Sequence, residues 1–99
     1  MKINIQSLHF DADKKLLDLV EEKINKLSRY YDGIIGTDVV LKLDRSSDSE
    51  NKVIEIKVKI PGNDLFVKKQ AKTFEEAIDL AADALTTQVK KIKEKVKGL

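Results

Sequence analysis

Near the end of the chain Lys91 and Lys95 stand four residues apart, and earlier Lys23 and Lys26 stand three apart. At those spacings two side chains on a helix occupy neighbouring turns of one face. Ammonium groups so placed suit a phosphate track, where each neutralises part of a polyanion and releases counterions. Arg29 and Tyr30 follow Lys26, and Gln88 lies one turn before Lys91. A guanidinium and an amide add donors for phosphate or sugar oxygens, and a phenol ring can stack on a base or hydrogen-bond.

The charge distribution points the same way. The formal net charge is only +2, but residues 90–99 hold five Lys and one Glu, which leaves 14 basic and 16 acidic side chains on residues 1–89. The basic character is therefore concentrated in the last turns of the chain. A second reading competes with this one. Lysines in a final helical turn complement the helix dipole, and charges flanking an apolar stripe are ordinarily a solvated face. The pattern alone leaves both readings open.

Other chemistry is poorly represented. The chain has one histidine, His9, just past a strand and without a triad or ligand partner, so it reads as a turn residue. There is no cysteine, hence no disulfide, thiolate zinc site or cysteine nucleophile. Asp44, Asp48 and Glu50 do not have the spacing of a calcium loop and read as a polar loop. Asp79 and Asp83 read as surface charges on a helix. Gly33 and Gly36 open no helix, so they form no phosphate cradle. The expectation is a chain that is not an enzyme, with no catalytic residues, metal, cofactor or small-molecule substrate. The opening "MKINIQSLHF" lacks an apolar run of signal-peptide length, and no stretch nears the roughly 18 apolar residues of a membrane span. A cytoplasmic protein without a membrane partner is expected.

The elements that must carry the lysines are legible from periodicity. At 99 residues, 41% hydrophobic and 36% charged, the chain supports one domain with one core. "MKINIQSL" alternates as a strand. Leu16, Leu17, Val20, Ile24, Leu27 and Tyr31 share a helical face, with Asp11 or Asp13 as cap and Gly33 and Gly36 as the stop. "TDVVLKLDR", "KVIEIKVKI" and "LFVKKQAKT" read as three strands of an antiparallel meander, the last two joined by the turn "PGND". Thr73 and Glu76 match a capping box before a long helix striped by Ile78, Ala81, Ala82, Leu85, Val89, Ile92 and Val96. The fold class is α+β, in the order β-α-β-β-β-α, with two helices packed on one face of a four-stranded sheet.

Projected at about 100° per residue, the second helix divides its lysines. Lys91 and Lys95, with Gln88, lie on one flank of the stripe, and Lys90, Lys93 and Lys97 on the other. Lys23, Lys26 and Tyr30 share a flank of the first helix, with Arg29 farther round. Side-by-side helices are expected to merge the Lys91 flank with the Lys23 flank into one basic ridge, leaving Lys90, Lys93 and Lys97 as a solvated helix end.

Four segments carry a family resemblance: "INI", "LVEEKINKLSRYYDGI" with its K-x-x-K-L-x-x-Y core, "VVLKLD" and "EEAIDLAADALTTQVKKIKEK". In order, spacing and length the chain resembles the short ribosome hibernation-promoting factors and their relative protein Y, the ribosome-associated translation inhibitor. The older family label is sigma-54 modulation protein. The resemblance implies a β-α-β-β-β-α domain over residues 1–99 that binds the small ribosomal subunit and its 16S rRNA in the mRNA and tRNA channel. It further implies inhibition of translation and promotion of inactive or dimeric ribosomes in stationary phase or stress, by a monomer away from the ribosome. Family basic positions that touch ribosomal RNA fall here on Lys23, Lys26, Lys91 and Lys95, the residues that projection selects. Family members often carry Lys at the position of Ala84, Arg at that of Thr87 and a basic residue at that of Gly33. The long class has a further C-terminal dimerisation domain, which this sequence does not contain. A rival reading is a small α/β protein-interaction or regulatory module that uses its exposed sheet face.

Overall fold

The computed structural model describes residues 2–46 and 49–97, with side chains of the last helix as far as Glu94. Strand β1 (Lys2–Leu8) leads into helix α1 (Lys14–Ser28), followed by β2 (Gly36–Leu43), β3 (Lys52–Ile60), β4 (Asn63–Ala71) and helix α2 (Phe74–Lys97). The sheet order is β1-β2-β3-β4. Strands β2, β3 and β4 form the expected antiparallel meander, and β1 joins β2 in parallel, with α1 as the crossover that a parallel pair requires. The sheet is therefore mixed.

Period-2 alternation decides which side chains go inward. Val39, Leu41, Ile54, Ile56, Val58, Leu65 and Val67 lie on the inner face and are buried under the helices. Leu16, Val20, Ile24 and Leu27 of α1 meet them, as do Ala77, Ile78, Ala81, Leu85 and Val89 of α2. Leu17, assigned above to the α1 stripe, is only half-buried at its margin. Helix α2 covers β3 and β4 and packs along α1, which places α1 over the β1 side. The rings of Phe10 and Phe74 stack with centroids 4.7 Å apart, tying the β1–α1 connection to the first turn of α2.

Each helix start has a local cause. Asp13 caps α1, its Oδ1 accepting the Leu16 N–H at 2.9 Å. Thr73 Oγ1 accepts the Glu76 N–H at 3.1 Å, and Glu75 and Glu76 place negative charge at the positive end of α2. The end of α1 departs from expectation. It stops at Ser28, five residues before Gly33, with the Arg29 N–H bonded back to Lys26 O at 3.1 Å. Tyr31 reaches the core from the turn rather than from the helix. Between β3 and β4, Gly62 takes φ 83°, a conformation open to glycine at small cost, and lets Ile60 pair with Asn63 across a two-residue turn. The fourth strand consequently begins two residues earlier than its hydrophobic pattern suggests.

Candidate nucleic-acid interface

The two helices present their outer surface as one layer, and two contacts establish which flanks meet. Lys23 Nζ of α1 lies 3.2 Å from Asp79 Oδ1 of α2. Farther along, Lys90 Nζ of α2 sits 5.6 Å from the centre of the Tyr30 ring, a cation–π arrangement at the end of α1. Asp79 and Lys90 are eleven residues apart, so they share one flank at about 100° per residue. That flank faces α1. Lys91 lies about 100° farther round, and Gln88 and Ala84 lie with it on the β4 side of the helix.

The expected single ridge is thereby corrected. The structure brings together Lys23, Tyr30 and Lys90, and leaves Lys91 and Gln88 on a different flank of α2. Projection distinguished the two flanks of α2 correctly and matched the wrong one to α1. The signal for the right match was present in Asp79: a carboxylate about three helical turns before Lys90 on the same flank offers a partner for Lys23. Lys93 lies on the α1-facing side with Lys90. Lys95 continues the Lys91 flank along the backbone, but its side chain, with those of Val96 and Lys97, lies outside the described residues.

Local charge differs along the layer. Lys26 pairs with Glu22 at 3.6 Å in the favourable i, i+4 order, with both side chains half-exposed or more. Such surface pairs contribute only about 0.3–0.5 kcal/mol, so a phosphate competes readily for the ammonium group. The same holds for Lys23, although its side chain is 30% exposed and therefore less free to reach outward. Arg29, Lys90 and Lys91 are exposed and carry no carboxylate partner among the described residues. Tyr30 is 42% exposed, with one ring face toward Lys90. Cationic groups thus cluster toward the α1 C-terminus and the later turns of α2, while Asp79, Asp83 and Glu22 temper the opposite end.

Gly33 has a steric explanation. A Cβ there would clash with the Tyr31 ring at Cε1. The ring is folded over the glycine, so a side chain at this position needs Tyr31 to move.

The other groups examined for chemistry do not converge. His9 is exposed in the β1–α1 connection with φ 70°. Asp44 accepts hydrogen bonds from the Ser46 backbone N–H at 3.0 Å and hydroxyl at 2.6 Å. Those bonds, the Gln70 amide and the nearby Lys68 hold its carboxyl below the ordinary value of 3.8. It is a turn-forming aspartate; Asp48 lies outside the described residues. No group of three metal-ligating side chains occurs among the described residues, and no helix there is long and apolar enough to cross a membrane.

Comparison with known proteins supplies the relationship. Residues 3–97 match the family described as "Sigma 54 modulation protein / S30EA ribosomal protein". The chain belongs to this family. A ribosome hibernation promoting factor of Pseudomonas putida is 30% identical over 99 residues, all of this chain and 93% of the relative. The ribosome hibernation promotion factor of Bacillus subtilis is 38% identical over 98 residues, covering 97% of this chain but 50% of that longer protein. In three dimensions the N-terminal domain of Thermus thermophilus protein Y superposes with a TM-score of 0.80 at 33% identity, covering 93% of this chain and 99% of that domain. A ribosomal subunit interface protein from Coxiella burnetii shares the fold, with a TM-score of 0.84 at 22% identity. The family comprises non-enzymatic, ribosome-associated hibernation factors.

Proposed function

We propose that this chain is a ribosome hibernation factor whose 99 residues act as a single ribosome-binding domain on the small subunit, in the bacterial cytoplasm. The observation that carries the reading is the full-length relationship to a hibernation promoting factor, joined to a helix layer whose free cations cluster at one end. The mechanism is steric. The folded domain occupies the mRNA and tRNA channel near the decoding centre and excludes both ligands, which silences ribosomes in stationary phase or stress. It needs no cofactor or small-molecule substrate, and it reaches the ribosome as a monomer.

Contact with 16S rRNA falls on two tracks rather than one ridge. The first follows the junction of the helices through Lys23, Lys26, Arg29 and Tyr30, with Lys90 now added. The second follows the far flank of α2 through Gln88, Lys91 and Lys95. Long cationic side chains spread over two tracks recognise phosphate positions and RNA shape with little reading of bases.

Co-sedimentation with purified small subunits tests the proposal. The wild-type chain pellets with the subunits and is released as salt rises. Lys91→Glu with Lys95→Glu weakens the second track, and Arg29→Glu with Lys90→Glu the first; each pair weakens binding at least tenfold. Binding that ignores salt and survives both pairs overturns the electrostatic reading. A sucrose-gradient profile with and without the protein then distinguishes blocked single ribosomes from dimers.

A further inference from the structure

The face of the sheet turned away from the helices is the largest surface the helix tracks do not use. It carries a charged lattice: Lys42 pairs with Glu55, Lys59 with Asp38 at 3.2 Å and Lys57 with Asp64 at 3.6 Å. All three pairs run diagonally between neighbouring strands. Within this lattice stands Phe66, 56% exposed, the one large hydrophobic strand side chain exposed to that degree among the described residues. It lies directly across from Lys57. Two residues farther along β4, at a spacing of about 7 Å, comes Lys68.

Lys68 forms one wall of an open cleft of 460 Å³ whose other lining includes His9, Lys42, Asp44, Arg45 and Val53. Neither Lys68 nor Arg45 makes a direct ion pair with a carboxylate among the described residues, although Lys68 lies near enough to Asp44 to help lower its carboxyl. The acid in the cleft, Asp44, is already engaged by Ser46 and Gln70. A flat ring beside a cleft with two cations that make no direct ion pair among the described residues is the arrangement by which a protein stacks a base and holds its neighbouring phosphates. A protein partner is served less well, because one phenylalanine among ion pairs supplies no contiguous apolar core for an interface.

We infer that the open sheet face is a second RNA-binding surface, which stacks one base of a single-stranded segment on Phe66 and holds adjacent phosphates with Lys68 and Arg45. It shares the RNA partner of the function proposed above but none of its side chains, so the two stand or fall separately.

The test is fluorescence anisotropy of a labelled oligouridine of about twelve nucleotides, a length matched to small single-strand sites, with amide chemical shifts read in parallel. The wild-type chain binds at low salt and shifts resonances of β4 and the β2–β3 loop. Phe66→Ala loses about tenfold in affinity, and Phe66→Tyr recovers most of it. Arg45→Gln with Lys68→Gln lowers the slope of log affinity against log salt by about 1.4, the share of two phosphate contacts on a single strand. Unchanged affinity in Phe66→Ala, shifts confined to α1 and α2, or no binding at all overturns the inference. So does a self-associated form in sedimentation that Phe66→Ala dissolves, which assigns the face to a second copy of the chain. Lys91→Gln with Lys95→Gln separates the two surfaces: if it reduces ribosome binding while the oligonucleotide still depends on Phe66, both readings hold.

Discussion

The two faces of the sheet use the same strands and follow opposite rules. Inward, Val39, Ile56 and Val67 stand in register across three strands and bury almost completely. Outward, Asp38, Lys42, Glu55, Lys57, Lys59 and Asp64 mix acid and base, and their diagonal ion pairs leave Phe66 exposed. The first face is held by removing apolar area from water, the second by weak pairs in high dielectric that keep it soluble and unattached to other sheets. One residue breaks the rule. Val53 points outward by register, opposite Lys42 and Gln70, yet is 1% exposed. At this end of the face Gln70, the neighbour of Val53 on β4, donates its side-chain amide to Asp44 Oδ2 and to the Glu50 carbonyl, and Leu43, Asp44 and Lys68 share a cleft lining with Val53. The outer face thus has a small buried site of its own beside the cleft.

Four experiments test that contrast, in order of expected effect. Ile56→Ala on the inner face costs about 2–5 kcal/mol in denaturant unfolding, as for a large apolar side chain removed from a packed core. Val53→Ala costs about 2 kcal/mol, far more than an outward strand position normally carries; a loss below about 0.5 kcal/mol shows that Val53 is not packed as its burial indicates. A double-mutant cycle on Lys42 and Glu55 returns a coupling under about 1 kcal/mol that shrinks in salt. Phe66→Ala changes stability by less than about 0.5 kcal/mol, as expected of a side chain more than half exposed, and a larger loss indicates a structural role.

Acid unfolding probes the outer face through its carboxylates. The Asn4 side chain, then Lys59, lowers the Asp38 carboxyl below its ordinary value of 3.8, and Asp44 is lowered chiefly by Ser46. A depressed carboxyl contributes stability that is present above about pH 3.8 and is lost as pH falls through the lower folded-state value. Asn4→Ala removes the largest of these causes for Asp38. Its stability then becomes less dependent on pH below 3.8, measured as a shallower fall of melting temperature with acid. No change in that limb means the Asn4–Asp38 bond, 3.1 Å long, does not persist in solution.

Much of the architecture was legible in local pattern. Alternation at Ile54, Ile56, Val58 and Ile60 identified the central strand and its inner face, because a period of two has only two outcomes. Asp13 and Thr73 announced the helix starts through the chemistry of unsatisfied N–H groups. The end of α1 was less legible. Gly33 is a strong stop signal, yet the helix ends earlier, where Tyr31 must turn inward to fill the core and lie over that glycine.

What the sequence by itself determined was the period of each element, the apolar face it buries and the existence of two separate lysine flanks on α2. Those follow from covalent geometry and side-chain solubility within a few turns of chain. Only the tertiary structure decided that β1 pairs in parallel with β2, that Val53 is buried, and that Asp79 and Lys90, rather than Lys91, face α1. An apolar stripe states which way a helix faces the sheet. It is silent on which side its neighbour lies, because that choice is made by the order of strands and crossovers far away in the chain.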